Sequence, residues 1–114
     1  GYSAYNFAKM GLLKLVEQLD LETPDAKIFA LGPGFVRTKI HQPTVSAKWP
    51  NEVLSRSGDG TPIHKIYETL KWCVSQKKEV VGGRNICVGD MRVDLDKRLK
   101  ENPSLFKLRR CEVG

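Results

Sequence analysis

The chain has few of the residues that would commit it to a metal, a disulfide framework or a membrane. Of 114 residues only three are cysteines and two are histidines. Cys73, Cys87 and Cys111 are far apart, and an odd number without a Cys-x-x-Cys pair argues against both a disulfide scaffold and a zinc site. No metal is expected. Cys73 and Cys87 sit in apolar patterns and read as buried thiols, so the expected compartment is reducing and cytoplasmic. No apolar run is long enough to span a bilayer. No signal peptide is visible; the sequence opens on Gly1 rather than Met, and the natural amino terminus is expected upstream. Aromatic residues are scarce at 8%. The net charge of +6 gathers near the end, in Lys97, Arg98, Lys100, Lys107, Arg109 and Arg110. Acidic and apolar residues interrupt that run and few aromatics accompany it, so it reads as a solvated helix and tail, with no nucleic-acid partner. There are no internal repeats and no low-complexity segments.

What is present suffices for one folded domain: the apolar fraction is 40% and the length fits one core, not two. Ser3 reads as the cap of a helix from about Ala4 to Glu22. Ala8, Leu12, Leu15, Val16 and Leu19 form its expected apolar stripe. Thr23-Pro24 stops it, because a residue before proline avoids helical geometry. Residues 27–31, KIFAL, read as a strand apolar on both faces, which suits a covered parallel strand. Gly32-Pro33-Gly34 ends that strand in a tight turn. Residues 39–60 show no clear period and read as an irregular connection, a candidate lid. Thr61 and Pro62 read as the cap and first residue of a helix to about Gln76, with Ile63, Ile66, Tyr67, Leu70 and Val74 on one face. Residues 84–88 read as a second strand, and Asp94 to about Glu101 as a short helix closed by Asn102-Pro103. Strand, crossover helix and strand make one right-handed βαβ unit, and the fold class is α/β.

Tyr5 and Lys9 are four residues apart on the first turns of the first helix, a spacing that puts both on one face. Tyr67 and Lys71 repeat it, so the spacing alone is weak evidence. Context separates them. Tyr67 lies on the apolar stripe of its helix and is expected in the core. Tyr5 opens a helix that is followed by a strand and a Gly-Pro-Gly turn, and open α/β sheets bind ligands at the carboxyl ends of their strands.

The stretches "YSAYNFAKMGLLKLVEQLDLE" and "ALGPGFVRTKI" together resemble the latter half of a short-chain dehydrogenase/reductase. A Tyr-x-x-x-Lys helix is followed by a strand and a Pro-Gly-x-x-x-Thr turn, here Pro33, Gly34 and Thr38; "VGGRNICVGD" resembles the family's last strand. The resemblance covers residues 1 to about 90 and leaves Met91 to Gly114 uncovered. It implies the C-terminal part of a Rossmann-like doubly wound parallel sheet, a helix followed by a β-α-β unit. The family's Gly-rich dinucleotide loop and the strand that carries its catalytic serine are not in these 114 residues, and Ser3 is not that serine. The chain is expected to be the C-terminal portion of a single dehydrogenase domain, inactive by itself.

The resemblance implies NAD or NADP as cofactor, a small carbonyl or alcohol as substrate, and a homo-oligomer. A carbonyl that accepts hydride needs a proton for its developing alkoxide, and a free phenol holds its proton too tightly for efficient work near neutrality. An ammonium one helical turn away favours the phenolate. By resemblance Tyr5 is the general acid/base, and Lys9 tunes it and hydrogen-bonds the nicotinamide ribose. Pro33, Gly34, Val36 and Thr38 line the nicotinamide and pyrophosphate side. Trp49 reads equally as an apolar lid contact or a packing residue; His41 is a lesser pocket candidate, and His64 reads as solvated. Two other readings remain. One is a catalytically silent relative that binds cofactor or a protein partner; the other is a free-standing small α/β interaction domain.

Overall fold

The structure, a computed structural model, describes residues 3–38, 58–91 and 93–108. Helix α1 runs Ser3–Glu22, strand β1 Ala30–Gly32, helix α2 Ile63–Ser75 and helix α3 Lys78–Val81. Strand β2, Asn85–Cys87, leads into a 3-10 turn, Val88–Asp90, and helix α4, Leu95–Glu101, follows. The two strands pair in parallel with Ala30 opposite Asn85, Leu31 opposite Ile86 and Gly32 opposite Cys87. The chain is thus a mixed helix and strand fold around a two-stranded parallel sheet, with helices in the connection as a parallel pair demands. Among the described residues no helix is long and apolar enough to cross a membrane. His41, Trp49, Cys111 and nearly all of the expected lid lie outside the described residues.

Several boundaries differ from the sequence reading for local reasons. Ser3 is already helical rather than a cap outside the helix. The first strand is shorter than 27–31 because Ile28 N–H donates to the Asp20 carboxylate, 2.9 Å, instead of entering a ladder. The parallel bonding nevertheless starts before β1, with Gly83 N–H donating to Ile28 O at 2.8 Å and Ala30 N–H to Arg84 O at 2.8 Å. Pro62, not Thr61, holds the cap position of α2, without a side-chain cap bond. Helix α3 was not expected; its four residues follow Lys77 directly and bury Val80 and Val81.

The core consists of Cys73, Val80, Val81, Ile86, Leu95 and Leu99, with Phe29, Trp72, Leu105 and Phe106 packed against it. It therefore joins α2, α3, β2 and α4, and α1 gives no residue to it. Arg84 closes this unit. The residue is 3% exposed, and its guanidinium donates to Leu99 O (2.8 Å), Asn102 O (3.1 Å) and Leu105 O (2.6 Å), carbonyls at and beyond the end of α4. Orphan carbonyls at a helix carboxyl end carry partial negative charge, and a buried cation is a fitting partner for them. Among the described residues no carboxylate pairs with this cation, and burial pushes its pKa below the ordinary arginine value. Asn85 N–H donates to Phe106 O at 3.0 Å, so the turn after α4 folds back on β2.

The apolar stripe expected to seat α1 does not seat it. Leu12, Leu15 and Leu19 are 48%, 50% and 37% exposed, and the buried residues of α1 are Glu17 and Asp20. The side turned to the rest of the chain carries these two acids together with half-buried Leu13 and Val16, and Val16 is the one residue of the expected stripe that turns inward. Helix α2 splits its surface similarly: Thr69 and Cys73 are buried, whereas Ile63, Tyr67, Leu70 and Val74 lie on an exposed stripe.

Candidate functional site

Tyr5 and Lys9 lie on the first turns of α1, where every residue from 3 to 12 is exposed. The i, i+4 spacing stacks the ammonium over the phenol, with Lys9 Nζ 5.6 Å from the ring centroid. That is cation–π range, and it places a fixed positive charge beside the tyrosine. Tyr5 is 56% exposed, so a small molecule can reach it. The second pair has the same geometry: Lys71 Nζ lies 5.0 Å from the Tyr67 centroid. Tyr67 is 58% exposed, which corrects the expectation that it packs in the core. The side of α2 that carries it faces away from Cys73 and Thr69.

The other expected site residues follow β1. The Gly32-Pro33-Gly34 turn sits at the carboxyl end of a parallel strand. Gly34 has φ +76°, a conformation side chains rarely adopt, and a Cβ there would fall 2.5 Å from Thr61 Oγ1. The glycine is therefore required by the turn itself. Val36 bridges Gly60 in antiparallel fashion, Thr61 N–H donates to Phe35 O at 2.7 Å, and Arg37 donates to Gly58 O. These bonds dock residues 34–37 on the approach to α2. Pro33, Gly34 and Thr38 are exposed and Val36 is half-buried. The expected site residues thus fall into two groups on separate elements: Tyr5 with Lys9 on α1, and residues 33–38 on the turn after β1.

No family model matches the chain, and no curated protein or solved structure matches it.

Sequence reasoning missed how α1 is attached. Lys78 Nζ sits among four oxygens: Asp20 O and Asp20 Oδ1, each at 2.7 Å, Thr23 O at 3.1 Å and Ala26 O at 2.5 Å. Asp20 Oδ1 also accepts from Ile28 N–H. Gly82 lies against the other carboxylate oxygen, and a Cβ there would collide with Asp20 Oδ2. A second tie runs from Leu108 N–H to Glu17 Oε1 at 2.8 Å. Beside this second tie a cleft of about 270 Å³ separates α1 from the sheet and the last turn, lined by Leu13, Val16, Arg84, Cys87 and Phe106. One signal for the clamp was legible. The last turn of α1 carries acids and no base, an arrangement the helix dipole disfavours unless a cation arrives from elsewhere.

Cys87 is only half-buried, where a buried thiol was expected. Its N–H donates to Asp90 Oδ2 at 2.8 Å. Burial, and next the Asp90 carboxylate, push its thiol pKa up. Cys73 is fully buried, and burial raises its pKa against a smaller opposing pull from Lys27. Neither thiol is primed as a nucleophile.

Proposed function

We propose that these residues belong to an NAD(P)-dependent oxidoreductase of short-chain dehydrogenase/reductase type. In this reading they form the C-terminal portion of a Rossmann-like domain. Hydride passes between a nicotinamide and a small carbonyl or alcohol. The observation that carries the reading is the parallel register of β1 on β2, which makes Gly32-Pro33-Gly34 the carboxyl end of a parallel strand. Open α/β sheets bind their ligands at such ends. The Tyr5–Lys9 stack supplies the acid–base chemistry that a carbonyl reduction requires. Tyr67 and Lys71 have the same stack on the crossover helix, but the strand that follows it, β2, runs into the Val88–Asp90 turn and not into a Gly-Pro-Gly turn.

In the reducing direction, Tyr5 gives its hydroxyl proton to the carbonyl oxygen as negative charge develops there. Lys9 holds positive charge beside the phenolate that remains. The nicotinamide supplies the hydride when bound. The exposed turn at Pro33 and Gly34, with Val36 and Thr38 after it, would hold its nicotinamide side. No Gly-rich loop for a pyrophosphate occurs in these 114 residues, so the activity is assigned to a protein that also carries that loop and the upstream serine.

The test compares three variants of the active enzyme by steady-state kinetics. Tyr5→Phe should lower kcat by about 10²–10⁴-fold, the usual cost of losing a general acid/base. Lys9→Ala should lower kcat and raise the KM for cofactor. Tyr67→Phe should match the parent in activity and melting temperature, because its hydroxyl is on an exposed ring. If Tyr67→Phe is the inactive protein and Tyr5→Phe the active one, the assignment is lost.

A further inference from the structure

We infer that Asp20 and Lys78 form a positioning clamp that aims the Tyr5–Lys9 pair. The inference rests on the function proposed above for that pair. Among the described residues no α1 residue belongs to the apolar core; Leu12, Leu15 and Leu19 and all of residues 3–12 are exposed, and only Leu13 and Val16 are half-buried, on the cleft. The ties described for the helix are polar and fall at its carboxyl end: Glu17 to Leu108 N–H, and Asp20 to Ile28 N–H and Lys78.

Lys78 makes the Asp20 tie two-sided. Its ammonium gathers three carbonyls and a carboxylate from Asp20 to Ala26, the whole turn between α1 and the approach to β1. Side-chain exposure is 32% for Lys78 and 12% for Asp20, so the pair is shielded from the screening that weakens surface ion pairs. Ile28 N–H on the same carboxylate links the direction of the helix to the start of the parallel pairing. Gly82 admits Asp20 Oδ2 where any side chain would block it.

The clamp and the pair are far apart along a rigid rod. Fifteen residues of helix at about 1.5 Å each put Tyr5 roughly 22 Å from Asp20. A tilt of about 5° at the clamp then moves Tyr5 by about 2 Å, and a displacement of about 1 Å in an active site can cost about 10²-fold in rate. The stacking of Lys9 on Tyr5 is internal to α1 and does not depend on the tilt. Loosening the clamp should therefore change where the pair points and leave its acid–base character alone.

The experiment reads the helix direction first. Spin labels carried on unnatural amino acids at Asn6 and Lys65, both exposed, spare the native cysteines. Double electron–electron resonance on the full chain should give one narrow distance distribution. Lys78→Met should broaden it at least two-fold while cooperative melting persists. Asp20→Asn, which keeps an oxygen for Ile28 N–H but loses the charge, should broaden it less. If Lys78→Met proves too unstable to measure, Asp20→Asn decides. A distribution as narrow as the parent's in the decisive variant overturns the clamp. The second readout is turnover of the active enzyme. Lys78→Met should lower kcat by about ten-fold or more, leave the midpoint of the kcat–pH profile unchanged, and be partly restored by Lys78→Arg. Broadening with unchanged kcat, or a shifted pH midpoint, overturns the positioning role. A parent protein with no nicotinamide-linked turnover defeats the proposed function, and the clamp is then judged on the distances alone.

Discussion

Leu99 on α4 and Leu15 on α1 are both leucines in amphipathic helical patterns, and nothing in the sequence ranks one above the other. Leu99 is 0% exposed among Cys73, Val80, Val81, Ile86 and Leu95, whereas Leu15 is 50% exposed. The unit built from α2 to the turn after α4 is closed by apolar packing, with Arg84 tying its end. Helix α1 is tied by Asp20 and Glu17, with only half-buried Leu13 and Val16 as apolar residues on that side. An apolar stripe only shows that a face can be covered; which face is covered is decided by where the rest of the chain offers partners. Here the partners offered to α1 are Lys78 and backbone N–H groups, so its acids turn inward. A helix seated this way trades the non-directional grip of a packed core for bonds that fix an angle.

The sharpest way to break the comparison is to truncate both leucines. Leu99→Ala should cost about 2–5 kcal/mol in denaturant unfolding, the range for a fully buried leucine. Leu15→Ala should stay within about 0.5 kcal/mol, as surface changes do. Equal losses would mean that α1 is packed after all. Next in size is Arg84→Met. It fills much of the space but removes the guanidinium donor from the carbonyls of Leu99 and Leu105, while Asn102 O keeps Leu105 N–H, at a cost of about 1–3 kcal/mol in the same assay. A stabilised variant would show that the guanidinium, not its loss, is the burden.

The smallest effect is that of alkaline pH. The folded state raises the thiol pKa of both Cys73 and Cys87 above the ordinary value of 9.0. The unfolded chain therefore releases these protons first. The stability tied to them is fully present below about pH 9 and is lost as pH rises through the folded values. Melting temperatures from pH 7 to 10 should fall at the upper end, and a Cys73→Ala, Cys87→Ala double variant should show a flatter profile. Identical slopes would assign the loss to other groups.

Much of the fold was legible where proline marks an end. Thr23-Pro24, Pro62 and Asn102-Pro103 located the limits of α1, α2 and α4 to within a residue or two. The parallel pairing was legible in the strand, helix, strand order. Helix α3 was not: Lys78-Glu-Val-Val is too short for a period, and its reason for existing is the pair of buried valines. The spacing of Tyr5 and Lys9 was legible because a helix makes neighbours of i and i+4. The Asp20–Lys78 contact was not, because 58 positions separate its members and no local rule reaches that far. Only the acids in the last turn of α1, with no base beside them, hinted that a cation was due.

The register of Ala30 on Asn85 also orders events in time. Residues 33–84 must be gathered before β1 meets β2, and closing a loop of that length costs about 3.5 kcal/mol in chain entropy on a logarithmic scale. The core residues from Cys73 to Leu99, by contrast, are near neighbours along the chain. Pulse-labelled hydrogen exchange during refolding should see the amides of β2 and α4 protected while Ala30 N–H still exchanges freely. β1, and with it the turn that closes on Thr61, is then the last piece to arrive.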